Sequence, residues 1–175
     1  MLYIYIDGSA RNNGKKNSSG GFGIVIFDNN YNYNLIDAYQ EQFENVTNNQ
    51  MELKAFLKTF ELLNTKYKDE IATIYSDSAY CINILSSWIH KWSQNNWKNS
   101  KNETVKNLDI ILSLYEYYNI NFFINQIYIV KVEGHCGIIG NELADALATA
   151  DVPKFSNIIL KNHINIALSE KTCQN

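Results

Sequence analysis

The 175-residue sequence predicts a single α/β domain, and three observations point to it. Segments with the two-residue alternation of strands recur along the chain, and segments with helical spacing fall between and after them. Two of the strand-like segments, LYIYID and IATIYSD, also carry an acid at the same relative place, their carboxyl end, where open α/β sheets bind ligands. With 46% apolar residues and one proline, the chain is long enough for one well-cored domain and short for two. We assign that domain to residues 1–150 and read 151–175 as a C-terminal tail, whose apolar fragment NIILKNHINIAL either docks on the body or frays.

The first strand is LYIYID, with Leu2, Ile4 and Ile6 facing one way and Tyr3, Tyr5 and Asp7 the other, as in a half-buried strand that ends at Asp7. A polar loop follows to Gly20, then GGFGIVIFD as the second strand, a turn around Asn30, and a third strand near Leu35 to Phe43. Thr47 and Gln50 match a capping box that opens a helix. On that helix Glu52, Ala55, Phe56, Thr59, Phe60 and Leu63 form one stripe, so an acid begins a mostly apolar face, where an unpaired charge is costly. IATIYSD is the fourth strand and ends at Asp77, and a helix runs from Ser78 to about Leu85.

The next segment interleaves Trp88, Trp92 and Trp97 with Lys91, Lys98, Lys101 and Lys106, opposed only by Glu103. Rings and cations together suit a nucleic-acid strand, and equally a Trp-rich helix packed on the core with its lysines in solvent. Val105 to Tyr118 reads as a helix, QIYIVKV as the fifth strand, and Pro153 as a break beyond the last helix. That last helix follows VEGHCGIIG, in which Gly134, Gly137 and Gly140 leave the backbone around His135 free to move and to approach a ligand closely. Asn141 suits its N-cap, and Asn141, Ala144, Asp145 and Ala148 share one face.

Composition narrows the function classes. No stretch approaches the roughly eighteen apolar residues of a membrane span, and no basic-then-apolar leader opens the chain. Cys81, Cys136 and Cys173 are widely spread and in no metal-binding spacing, as free thiols in a reducing compartment would be. We therefore expect an intracellular monomer, cytoplasmic or nuclear, or a viral protein within its host cell. The net charge of −3 argues against coating nucleic acid by bulk electrostatics, while a local basic patch stays open.

Four acids remain, in the order Asp7, Glu52, Asp77, Asp145. Such a cluster at neutral pH needs cations or shared protons. Mg²⁺ fits oxygen ligands of this kind, and two ions about 3.5–4 Å apart stabilise the attacking and leaving oxygens of phosphodiester cleavage. The segments YIDGSARNNG, TNNQMEL, YSDSAY and VEGHCGIIGNELAD, in that order from about Leu2 to Ala148, resemble type 1 ribonuclease H.

The resemblance implies a ribonuclease H-like fold, a five-stranded mixed sheet flanked by helices. It implies cleavage of the RNA strand of RNA·DNA hybrids, with two Mg²⁺ ions, or Mn²⁺ in their place, held by Asp7, Glu52, Asp77 and Asp145. His135 would assist proton transfer or product departure. Asn13, Asn48 and Asn49 would sense RNA hydroxyls; Tyr80, Trp88 and Trp92 would line the DNA-strand channel; Thr47, Lys106 and Asn107 would form a DNA-phosphate pocket, with Lys98 and Lys101 adding charge to the same grip. The chain departs from the family where Ser93 to Asn96 lacks the usual cations and where Gln50 and Ala79 replace other groups. Two alternatives are kept: a nucleic-acid-binding module without catalysis, and an integrase-like or detached reverse-transcriptase domain on the same fold.

Overall fold

The computed structural model describes residues 1–13, 15–28, 34–124 and 127–166, so the turn expected around Asn30, the end of the apolar tail fragment and Cys173 lie outside the described residues. The chain runs β1 (Leu2–Arg11), β2 (Ser19–Phe27), β3 (Asn34–Glu44), α1 (Asn48–Asn64), β4 (Ala72–Ser76) and α2 (Ala79–Asn83). A π-helical turn (Ile84–Trp88) leads into α3 (Ile89–Gln94), followed by α4 (Leu108–Ile124), β5 (Ile127–Lys131), α5 (Ile139–Ala148), α6 (Val152–Lys161) and β6 (Asn165–Ile166).

The sheet order is β5-β4-β1-β2-β3-β6. β1 pairs antiparallel with β2 and parallel with β4, and β4 parallel with β5, which makes the sheet mixed. Among the described residues it has six strands where the sequence predicted five. The sixth is the two-residue β6, added parallel to the start of β3 through Asn165 and Ile166, and so short a segment has no alternation to read.

Helices cover both faces. Ile4, Ile6, Ile24, Ile26 and Ile74 pack with Phe56, Phe60 and Leu63 of α1 and with Ile111 and Leu114 of α4. On the other face Tyr5, Val25 and Phe27 meet Leu143 and Ala144 of α5 and Ile159 of α6. β1 is therefore buried on both faces, not half-buried: the side bearing Tyr5 and Asp7 lies under α5. The stripe from Glu52 to Leu63 is buried throughout, and Thr47 closes the expected capping box with Gln50, accepting from its amide at 3.3 Å while the Thr47 amide donates to Gln50 Oε1 at 2.9 Å.

Two close approaches set where the helices sit on β1 and β2. A β carbon on Gly8 would stand 2.2 Å from the Glu52 amide nitrogen, and one on Gly23 would stand 2.1 Å from the Ala144 carbonyl, so both glycines let a helix backbone touch the sheet. The segment after residue 150 forms a helix rather than a break: Asp151 caps α6 by accepting from the Lys154 amide at 2.9 Å, and Pro153 occupies the first turn, where its missing N–H costs nothing. No helix among the described residues is long and apolar enough to cross a membrane.

Candidate active site

The parallel pairing of β1 with β4 ends at Tyr5 and Tyr75, and the next outward positions on that side are Asp7 and Asp77. Asp7 does not end its strand, as the sequence suggested; β1 continues to Arg11 against β2, and what ends beside Asp7 is the pairing with β4. Glu52 reaches the same place from the first turns of α1, whose close contact at Gly8 brings its side chain in. One oxygen of each of Asp7, Glu52 and Asp77 lies within 4.8 Å of the others.

Burial makes this cluster unusual. Asp7 is 7% exposed and Glu52 5%, while Asp77 is partly exposed. Burial, then the charges of Asp77 and Asp145, push Asp7 up to about 8, opposed by the Gly8 amide and by Lys154. Glu52 is raised well above the carboxylate range by burial and by the charges of Asp7 and Asp77, again opposed by the Gly8 amide. Among the described residues Glu52 Oε2 is buried with no hydrogen-bond partner, and so is Asn141 Oδ1. Two orphaned oxygens beside three clustered carboxylates are what a hard cation with oxygen ligands satisfies, so these residues fit a divalent ion.

Asp145 belongs to an adjoining group. Its carboxylate, Glu142 and a ring nitrogen of His135 offer ligand atoms within 4.8 Å of one another. Lys154 Nζ of α6 donates to Asp145 Oδ2 at 2.5 Å and lies 3.2 Å from Glu142 Oε2. The structure thus brings Asp7, Glu52 and Asp77 together and sets Asp145 next to them, near enough for its charge to act on Asp7. His135 stands exposed on the loop between β5 and α5.

A model of the ribonuclease H family matches residues 1–152. The chain belongs to the ribonuclease H family. Ribonuclease H of Clostridium botulinum (strain Hall) is 33% identical over 159 residues, covering 89% of this chain and 97% of that protein. Ribonuclease HI of Haemophilus influenzae is 37% identical over 151 residues, covering 85% and 87%. Among solved structures, LC9-RNase H1, a type 1 RNase H with the type 2 active-site motif, superposes with a TM-score of 0.74 at 20% identity over 96% of this chain and 86% of that one. The PFV RNase H domain gives 0.69 at 24% identity, over 84% and 91%. At those identities the two structures show the shared fold.

In this ribonuclease H-family chain the residues expected from the resemblance to meet substrate fall in two groups. Asn13 Oδ1 accepts from the Asn48 amide at 3.0 Å and Asn48 Oδ1 accepts from the Ala10 amide at 3.0 Å, so the two side chains tie the loop after β1 to the start of α1. Asn49 is the second residue of that helix, and the Thr47 hydroxyl is engaged in the capping box. In the second group the rings of Tyr80 and Trp88 meet edge to face at 6.3 Å, and those of Trp88 and Trp92 lie tilted at 5.6 Å. A groove of about 610 Å³ opens beside them, lined also by Lys91, Asn95, Lys98 and Asn99. Lys101 and Lys106 are exposed nearby in sequence, and the Asn107 side chain hydrogen-bonds the Tyr80 hydroxyl. Trp97 instead packs edge to face on Tyr115 at 5.2 Å, joining the apolar body rather than the groove.

Two expectations about the last helix and the loop before it change. Asn141 is not its N-cap: the helix starts at Ile139, and Asn141 is 2% exposed, with Nδ2 3.5 Å from Asp77 Oδ2. Of the three glycines only Gly137 needs its freedom, at φ 77°; Gly134 and Gly140 serve close packing, on Asp77 Oδ2 and on the Tyr5 ring. His135 itself takes the left-handed conformation, at φ 55°. Sequence reasoning missed Asn141, Glu142 and Lys154 as site neighbours. The i, i+4 spacing of Asn141 and Asp145 was a signal for the first, whereas nothing local marked Lys154.

Proposed function

We propose that this chain is an endoribonuclease that hydrolyses the RNA strand of RNA·DNA hybrids, with two Mg²⁺ ions held by Asp7, Glu52, Asp77 and Asp145. The observation that carries this reading is the triad of buried Asp7, buried Glu52 and partly exposed Asp77, with its orphaned Glu52 oxygen, at the carboxyl end of a parallel strand pair. Bound divalent ions supply charge to a phosphodiester at attack and departure. Addition of water at phosphorus with loss of the 3′ oxygen leaves 5′-phosphate and 3′-hydroxyl ends.

The remaining steps belong to the protein's own side chains. Asn141 holds Asp77 from within α5, and the Gly8 amide steadies Asp7 and Glu52. His135 carries its imidazole to the open side, where a ring nitrogen moves a proton or eases product departure. Asn13, Asn48 and Asn49 face the RNA strand, and since the oxygens of Asn13 and Asn48 join loop to helix, their Nδ2 groups meet the hydroxyls. The rings of Tyr80, Trp88 and Trp92 take the DNA strand, Thr47, Lys106 and Asn107 its phosphate, and Lys98 and Lys101 add charge. One chain contributes every one of these groups, which supports action as a monomer.

The test is a labelled RNA strand presented free, in duplex RNA and paired with DNA, with Mg²⁺, Mn²⁺ or EDTA. Cleavage of the hybrid alone, with Mg²⁺ or Mn²⁺ and not with EDTA, is expected. Equal cleavage of all three substrates, or full activity in EDTA, overturns the reading.

A further inference from the structure

Lys154 lies beyond the family match, which ends at residue 152, yet its ammonium sits against the site. It extends from the first turn of α6 to Asp145 Oδ2 at 2.5 Å and Glu142 Oε2 at 3.2 Å, with only 33% of its side chain exposed. A lysine ammonium has three donors and no acceptor, and it binds carboxylate lone pairs as a compact point charge. A small divalent cation takes the same lone pairs, and its charge and the ammonium's repel each other across one carboxylate.

Most of what holds α6 down is also visible. Ile159 is its one buried residue among those described, with Phe155 and Ile158 partly buried beside it, while Val152 and Leu160 are 62% and 72% exposed. The turn into α6 passes through Ala150 at φ 55°, a left-handed position that a side chain resists. With so little apolar surface anchoring it, the helix depends in part on the ion pair that Lys154 makes with α5.

We propose that Lys154 is the resident counter-cation of Asp145, which a divalent ion displaces in order to bind that carboxylate, so that metal loading at Asp145 and docking of α6 oppose one another. The inference rests on the reading of Asp145 as a metal ligand. Displacement need not free the helix entirely, because the ammonium keeps Glu142 as a second partner. Linkage makes the effect reciprocal: whatever factor the metal takes from the docking of α6, removal of the ammonium returns to metal affinity.

The experiment uses the full chain without nucleic acid. Mn²⁺ affinity is measured by paramagnetic resonance and Mg²⁺ affinity by calorimetry, for the parent, Lys154→Gln, Lys154→Arg, Lys161→Gln and Asp145→Asn. Amide exchange of residues 152–161 is followed with and without Mg²⁺. Lys154→Gln is expected to bind Mn²⁺ about five-fold more tightly or better, at the low end of ordinary coupling between sites. Lys154→Arg, which keeps the charge and the pairing, should return toward the parent. Lys161→Gln, which removes the same charge from the same helix, should match it. Mg²⁺ should speed exchange in α6 of the parent, and in Lys154→Gln exchange should be fast with or without the ion. If Asp145→Asn weakens metal binding but Lys154→Gln binds as the parent does or more weakly, the role of Lys154 is overturned and the metal site stands. If Asp145→Asn binds metal as tightly as the parent, both fall.

Discussion

Gly134 lies directly over Asp77: a β carbon on the glycine would stand 2.5 Å from Asp77 Oδ2. The obstacle is the end of a side chain, so a methyl group there turns the carboxylate aside instead of breaking the fold. Gly134→Ala should therefore cost little stability and much of the activity, together with part of the metal affinity. Gly137→Ala is the counterpart, since its added carbon meets open space but its φ of 77° resists a side chain. That variant should lose about 1 kcal/mol of stability and retain most of its activity. Thermal melts and hybrid cleavage on the two variants check the crossing pattern.

Asp7 links the site to pH. Burial and the charges of Asp77 and Asp145 raise it from 3.8 to about 8, so without metal the folded chain binds this proton more tightly than the unfolded chain does. The stabilisation is complete below the unfolded value and is lost as pH rises through the folded one. Metal-free melting temperature should consequently fall between about pH 4 and pH 8, and Glu52, shifted the same way, adds to the trend. Asp7→Asn should flatten the slope and raise stability at the alkaline end by up to a few kcal/mol, each tenfold in proton affinity being ~1.4 kcal/mol. Saturating Mg²⁺ should restore the parent there, while hybrid cleavage by Asp7→Asn drops by orders of magnitude. A melting temperature that does not change with pH in EDTA contradicts this account.

His135 stands exposed in a left-handed turn, with a ring nitrogen near the Glu142 and Asp145 carboxylates. Its placement on the open side suits turnover more than metal retention. His135→Ala should lower the cleavage rate without abolishing it and leave Mg²⁺ affinity within about two-fold of the parent, well inside the usual cost of losing a metal ligand's support. Calorimetric loss of metal binding in that variant would reassign the imidazole to the metal.

Asn13, Asn48 and Asn49 gather where the loop after β1 meets the start of α1. A surface that reads several 2′-hydroxyls requires several ribonucleotides in a row. Efficient cutting within a run of four ribonucleotides embedded in DNA, and poor cutting at a single one, is the expected result. Equal rates on both substrates would remove these asparagines from recognition.

The groove beside Trp88 and Trp92 carries Lys91 and Lys98 on its walls, on a chain whose net charge is −3. A few lysines must then supply much of the attraction to phosphate. Replacing Lys98, Lys101 and Lys106 together by Gln should raise KM and leave saturated kcat nearly intact. The dependence of log affinity on log salt should flatten by roughly 0.9 for each phosphate that is no longer neutralised. Unchanged binding at every salt concentration would assign the segment to packing alone.

The sequence by itself determined the first five strands, the helix that carries Glu52, and the positions of Asp7, Glu52 and Asp77. Alternation in Leu2, Ile4 and Ile6 and the helical stripe from Glu52 to Leu63 are local patterns, and each acid interrupts or ends one of them, so its position showed against its neighbours. The capping box of Thr47 and Gln50 was legible for the same reason, being a contact across three residues. Tertiary structure alone decided the rest. β1 continues past Asp7 because β2 pairs with it to Arg11, and α5 begins before Asn141, with Gly140 seated on the Tyr5 ring and Asn141 turned inward to Asp77. β6 exists only as a partner for β3, and Lys154 meets Asp145 only because the chain turns through Ala150 and lays α6 on α5. Each of these depends on which surfaces meet after the chain has folded back on itself, and a contact between distant segments leaves no periodicity in either of them.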